Sequence, residues 1–156
     1  MRAALVLLLV AVPSAARDTI GAYRGWAAFR DAGRCYAIAA PVMSGGASRW
    51  RPSASVGTWP ERGLRSSLHV RLSRERDRSA PVTLSVGERR FTLVAGGVDA
   101  WAADAASDRA IVAALRSGRS MSVEAVAVGG RPFADTYALA GAATAIDAAA
   151  LACVPA

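Results

Sequence analysis

Residues 81–95 have the sequence PVTLSVGERRFTLVA, and this stretch decides the fold class. Every second residue of segment 82–86 is apolar, which is the period of a half-buried β-strand. Gly87 then opens a two-residue turn of the kind found in type II′ hairpins. Phe91 and Leu93 place apolar side chains on one face of the returning segment. The stretch therefore predicts two antiparallel strands joined by a tight turn.

Similar strand patterns extend in both directions from this hairpin. Segment 67–73, SLHVRLS, alternates most clearly, and no Pro- or Gly-rich linker divides the chain. We predict a mainly β fold, a single antiparallel, sandwich-like domain over residues 17–156. The predicted strands are 23–30, 34–40, 53–59, 67–73, 81–86, 89–95, 98–101, 121–128 and 132–138.

Two segments of the C-terminal half have a helical period instead. Ile111 and Leu115 share one face of a predicted helix at 108–117, with Ser107 as its candidate N-cap. A second short helix is predicted at 140–151. Its inward face is predicted from apolar residues at steps of three or four, which are Leu139, Ala143, Ile146, Ala150 and Cys153.

The first sixteen residues have the order of a secretory signal peptide. Arg2 supplies the positive start, residues 3–12 are an unbroken apolar run, and small residues precede Arg17. A run of about ten apolar residues is too short to cross a bilayer core of roughly 30 Å as a helix. We therefore expect cleavage after Ala16 and a mature chain, 17–156, that is periplasmic or secreted and has no integral membrane span. The alternative is a buried N-terminal helix.

Cys35 and Cys153 are the only two cysteines, and they lie near opposite ends of the mature chain. An oxidising compartment favours a disulfide bond between them. On the chain-entropy model, closing a loop of about 100 residues stabilises the fold by roughly 4–5 kcal/mol. The alternative is a pair of buried free thiols. One histidine and two distant cysteines make a zinc centre improbable, and we expect no metal and no cofactor.

The basic charge comes entirely from arginine. The chain has a formal net charge of +7, and losing Arg2 with the signal peptide leaves 18 − 12 = +6. Lys, Asn and Gln are all absent, which indicates a compositional bias rather than selection for arginine chemistry. The charge favours weak attraction to anionic surfaces, and we expect no nucleic-acid partner. The charged run 74–78 sums to only +1 and is interpreted as a solvated connection.

The sequence contains few groups suited to catalysis. His69 is predicted to lie on the outer face of its strand, opposite Leu68, and no Gly-x-Ser-x-Gly motif supports a Ser-His-Asp hydrolase. Asp99, Asp104 and Asp108 cluster in sequence, but their spacing fits no calcium loop. We therefore expect no catalytic residue and no enzymatic activity.

Tryptophan stands close to arginine in two predicted loop regions. Arg49, Trp50 and Arg51 form one group, and Trp59 with Arg62 forms the other. An exposed Trp flanked by Arg can stack on sugars or lie at a membrane interface. The alternative is that each Trp closes one end of the β-sandwich. These five residues are the candidate binding surface for a lipid or a glycan.

The C-terminal part of the chain carries a recognisable succession of motifs. Between Ala113 and Glu124 a predicted helix ends with Leu, a basic residue and Gly, and a strand follows. A Gly-Gly hairpin, a second strand and segment 137–146 complete the succession. It resembles the invasion-associated locus B family of exported proteobacterial proteins, whose members typically end in S-L-x-G-F-x-x-A. Trp26 near the start of the mature chain, followed by Cys35, resembles the pattern in the front half of that family.

This chain departs from the family pattern at two places. Many members have an additional cysteine pair just before the first helix, where segment 98–103 has none, and the Phe after the last Gly is Ala142 here. The resemblance implies a divergent member, an exported non-enzymatic accessory protein whose partner is an unknown envelope protein or an anionic envelope component. A role in host-cell invasion does not follow from family resemblance.

Overall fold

The computed structural model describes residues 17–154, and the predicted signal peptide, residues 1–16, lies outside the described residues. The strands are β1 (Asp18–Tyr23), β2 (Trp26–Asp31), β3 (Arg34–Ala39), β4 (Ser53–Trp59), β5 (Leu64–Arg71), β6 (Val82–Val86), β7 (Arg89–Gly96), β8 (Asp99–Trp101), β9 (Ser120–Val126) and β10 (Pro132–Ala138). The helices are α1 (Ala105–Ser117) and α2 (Ala142–Ala152), and a 3-10 turn spans Pro60–Arg62. The predicted mainly β fold, with two helices in the C-terminal half, is confirmed.

The ten strands of residues 17–154 form one curled antiparallel sheet in the order β1-β2-β3-β4-β5-β8-β7-β6-β9-β10. Strand β7 belongs to two ladders, because its residues 89–93 pair with β6 and its residues 94–96 pair with β8. The two layers of the predicted sandwich are therefore parts of one sheet that bends along β7. Met43, in the β3–β4 connection, bridges to Thr136 on the outer edge of β10.

The hairpin that decides the fold class forms as predicted. Val86 pairs with Arg89 across the two-residue turn, and Gly87 adopts a φ of +57°, which a residue with a side chain rarely accepts. Strand β1 was not predicted. The segment assigned to one strand at 23–30 instead contains the turn between β1 and β2 and begins β2 at Trp26.

The core lies inside the curl of the sheet. Val56 faces Leu68 and Ala54 faces Val70 across β4 and β5, and all four side chains are buried. Trp26 is buried as well, and its indole N–H donates to the carbonyl of Ala138 at 2.9 Å. This contact ties β2 to the end of β10, so strands that lie far apart in the sheet order meet across the core.

Helix α1 packs against β5 through Ile111 and Leu115, both fully buried as predicted. Its N-cap is Asp104 and not Ser107, because the Asp104 carboxylate accepts the backbone N–H of Ser107 at 2.7 Å. The helix therefore starts three residues earlier than predicted, at Ala105.

Helix α2 packs across β1, β2, β3 and β4. Of the five residues predicted for its inward face, Leu139 and Ile146 are buried, whereas Ala143, Ala150 and Cys153 are only partly buried. Small side chains let this helix lie close to the sheet. The buried residues of the helix are Ala142, Ala145, Ile146 and Ala149.

A disulfide bond joins Cys35 on β3 to Cys153 just after α2, with an S–S distance of 2.03 Å and a sequence separation of 118. It fastens the C-terminal helix to the sheet. Within residues 17–154, neither helix has the length and apolar composition that crossing a membrane requires.

Candidate functional site

His69 lies on the outer face of β5 and pairs with an acid. Its Nε2 atom is 2.8 Å from Asp99 Oδ1, and Arg71 Nε is 3.4 Å from the same oxygen. The imidazole also packs against the Trp101 ring, with 5.6 Å between ring centroids. Because the His69 imidazole and the Arg71 guanidinium both bind the Asp99 carboxylate, this cluster joins β5 to β8. Among residues 17–154, the hydrogen bonds and ion pairs of the imidazole include no hydroxyl or thiol group.

The other two candidate acids have separate structural tasks. Asp104 caps α1, and the N–H of Ser107 lowers the pKa of this carboxyl. Asp108 reaches over to β5, where its Oδ1 accepts the backbone N–H of Leu68 at 2.7 Å. The three aspartates clustered in sequence therefore do not form one site.

The five residues of the candidate binding surface are divided between the two ends of β4. Arg49, Trp50 and Arg51 precede the strand, whereas Trp59 is its last residue and Arg62 lies in the following 3-10 turn. A strand of seven residues is about 20 Å long. The structure thus does not bring the two indoles together, because an extended strand separates them.

Trp59 is half-buried, and its ring lies against β4 itself. A Cβ atom built on Gly57 would be only 2.7 Å from the Trp59 ring, so the glycine provides the space that the indole occupies. The Trp59 indole therefore covers part of its own strand. Arg62 is exposed beyond it.

Trp50 is also half-buried, but it forms the wall of two clefts. Its indole N–H donates to the carbonyl of Leu72, and its backbone N–H donates to the Ser48 hydroxyl at 3.2 Å. The first cleft, of about 280 Å3, is also lined by Arg49, by Ser73 and by other residues of the β3–β4, β5–β6 and β9–β10 connections.

The most deeply buried carboxylate of the described residues was missed in the sequence. Asp135 on β10 is 0% exposed and accepts backbone N–H groups from Gly45 at 3.0 Å and Ser73 at 2.8 Å. These donors lie 90 and 62 residues away in sequence. Nearby on β10, burial and the charge of Asp135 raise the pKa of Tyr137. Asp135 lies in a strand in which buried and more exposed residues alternate, so nothing in its local sequence indicates hydrogen bonds to distant segments.

The family model of the Invasion associated locus B (IalB) protein matches residues 52–150, more than half of the chain. The chain belongs to this family. Among curated proteins, none matches the sequence. The fold is similar to the crystal structure of invasion associated protein B from Bartonella henselae, with a TM-score of 0.56 and 21% sequence identity over 83% of this chain and 93% of that chain.

The invasion associated locus B match and the candidate sites overlap only in part. The matched region contains Trp59, His69 and Asp135, and it begins after Arg51. The Trp50 cleft is therefore built from both sides of this boundary, since Trp50 precedes it and Ser73 lies within it.

Proposed function

We propose that the protein is an exported, non-enzymatic accessory protein that binds an anionic component of the cell envelope. The observation that carries this proposal is a set of arginines at the two ends of β4. Within residues 17–154 these side chains have no carboxylate at ion-pair distance, and they are exposed. Such guanidinium groups can bind carboxylates or phosphates through paired hydrogen bonds. The residues are Arg49, Arg51, Arg62 and Arg65.

Export is supported by the signal-like segment 1–16 and by the Cys35–Cys153 bond, since structural disulfides are rare in reducing compartments. Fractionation of cells producing the full chain tests this. We expect the periplasm or the medium to contain a polypeptide that starts at Arg17 and has lost two hydrogens relative to the dithiol. Folded, reduced protein that retains Met1 in the cytosol would contradict export.

Binding is tested by co-sedimentation of the mature chain with phosphatidylglycerol vesicles, phosphatidylcholine vesicles and purified lipopolysaccharide. We expect retention on the anionic materials only, and we expect it to fall as salt rises, because salt screens exposed charges. Arg49→Glu with Arg51→Glu should weaken retention. The matched control is Arg109→Glu with Arg119→Glu, two exposed arginines elsewhere that change the net charge equally. Equal loss in both double variants would leave only a non-specific charge effect and contradict the proposal.

A protein partner is the second candidate, and a different surface favours it. Leu151 and Val154 are 72% and 61% exposed near the disulfide. Arg65 and Val154 line one cleft there, so an acidic protein with an apolar contact residue fits this end of the molecule. Leu151→Asp would then abolish capture of an envelope protein while leaving retention on anionic vesicles and lipopolysaccharide unchanged.

A further inference from the structure

We infer that the cleft beside Trp50 is a binding site for a sugar that carries a carboxylate or phosphate group. This inference rests on the proposed binding function and names its site and its class of ligand.

The aromatic part of the site is the Trp50 indole. The indole N–H donates to the carbonyl of Leu72, and this hydrogen bond fixes the edge of the ring. Trp50 lines the first cleft and also a second cleft, which Arg51 and Pro52 line as well. The apolar face of a sugar ring packs on an aromatic ring in this arrangement.

The polar part of the site provides both donors and acceptors. Arg49, Arg74 and Glu75 line the first cleft together with Ser73. A guanidinium binds a carboxylate or phosphate, and a glutamate accepts hydrogen bonds from sugar hydroxyls. A lipid tail would use none of these groups. The combination therefore favours a sugar with an acidic substituent.

The floor of the cleft contains a hydroxyl that needs a partner. Ser73 is 1% exposed, and its Oγ has no hydrogen-bond partner among the described residues. Buried hydroxyls in folded proteins are almost always hydrogen-bonded. This oxygen is buried, so a ligand in the cleft reaches it only if the lining residues move, and the site rests on the side chains that line the cleft, which are Trp50, Arg49, Arg74 and Glu75.

The cleft is held open by contacts beneath it. Asp135 accepts N–H groups from Gly45 and from Ser73, which lie on the two segments that flank the cleft. Arg74 donates from Nε to the carbonyl of Gly45, and its guanidinium lies against Gly46. A site whose supporting residues are fixed in advance binds with a smaller loss of conformational entropy. The volume of about 280 Å3 lies near the lower end of the range for small-molecule sites.

Isothermal titration of the mature chain tests the inference with trigalacturonic acid and glucose 6-phosphate as the two acidic probes. Neutral galactotriose, acetate and inorganic phosphate are the controls. We expect at least one acidic sugar to bind at least about tenfold more tightly than any control. Trp50→Ala and Arg49→Glu should each weaken that binding by at least about tenfold. Trp59→Ala, the other half-buried tryptophan of the β4 region, should stay within about twofold of the wild type.

Several results would overturn the site assignment. These are equal binding of the neutral trisaccharide, equal binding of free phosphate, equal loss in Trp59→Ala, or no binding of either acidic sugar. Arg49 is exposed, so Arg49→Glu keeps the test valid if Trp50→Ala fails to fold.

Retention on lipopolysaccharide separates the two proposals. If it persists while the acidic sugars fail, the proposed function stands and only the Trp50 site is rejected.

Discussion

Asp108 is a partly buried acid, and its burial disfavours the ionised form of the carboxyl. Burial raises the pKa of this carboxyl, and the hydrogen bond from the N–H of Leu68 offsets the rise only in part. The folded protein therefore holds this proton at a higher pH than the unfolded chain does. Between the two pKa values the folded state binds more protons, so the contribution of Asp108 to stability falls as pH rises.

Asp108→Asn removes this titration while keeping an oxygen that accepts the Leu68 N–H. Urea unfolding between about pH 3 and pH 7 should show the free energy of unfolding of the variant rising relative to the wild type. Asp104→Asn is the control of opposite sign, because the Ser107 N–H lowers the pKa of Asp104. Its stability relative to the wild type should fall over the same range. Parallel pH profiles for Asp108→Asn and the wild type would exclude the burial argument.

Asp135 is a buried acid whose hydrogen-bond partners among the described residues are backbone N–H groups. Asp135→Asn places an amide N–H against the N–H of Gly45 or Ser73, so one buried donor loses its acceptor. We expect a loss of about 1–3 kcal/mol in the free energy of unfolding, measured in urea. Asp147→Asn, which removes an exposed ion pair with Arg116, should cost less than about 1 kcal/mol. Equal losses in the Asp135 and Asp147 variants would mean that the buried hydrogen bonds of Asp135 do not contribute to the free energy of unfolding.

At the scale of elements, the approach of α2 to β1 depends on the absence of a side chain at Gly141. Its φ is +91°, and a Cβ atom there would lie 1.9 Å from the carbonyl oxygen of Tyr23. Gly130 has a similar φ of +84° but has nothing within 4 Å of such an atom. Alanine substitutions at the two glycines therefore distinguish the cost of the left-handed backbone from the cost of the clash between α2 and β1.

Gly130→Ala should lower the free energy of unfolding by about 1–2 kcal/mol, since only the left-handed backbone is penalised. Gly141→Ala carries that cost and also forces the helix from the sheet, which adds about 1–3 kcal/mol. Thermal unfolding of both variants measures the difference. If Gly141→Ala is no less stable than Gly130→Ala, the contact between α2 and β1 does not constrain the fold.

The sequence predicted elements well where side chains of different kinds alternate. The hairpin at Gly87 and the buried face of α1 were predicted because polar and apolar residues are clearly separated there. The face of α2 was predicted only in part, because seven of the eleven residues from Ala142 to Ala152 are alanine and the pattern has little contrast. The Asp104 cap was missed because Ser107 is an equally good N-cap by type.

At the scale of the whole molecule, the site depends on contacts that no local pattern contains. The sequence singled out Trp50 and its arginines, but it also grouped them with Trp59, which the length of β4 places elsewhere. Ser73 and Asp135 meet only because the sheet curls and brings β10 beneath the β3–β4 connection. A family resemblance predicts such a fold, but it does not say which side chains meet across it.

The disulfide is the covalent link that spans this whole arrangement. It joins positions 118 residues apart and holds α2 on the sheet, so it restricts most of the unfolded chain. Cys35→Ser combined with Cys153→Ser should lower the free energy of unfolding in urea by about 2–5 kcal/mol. Reductant should bring the wild type down to the same value and leave the double variant unchanged. A wild type that unfolds identically with and without reductant, while free-thiol labelling confirms reduction, would show that noncovalent packing of α2 alone holds the domain together.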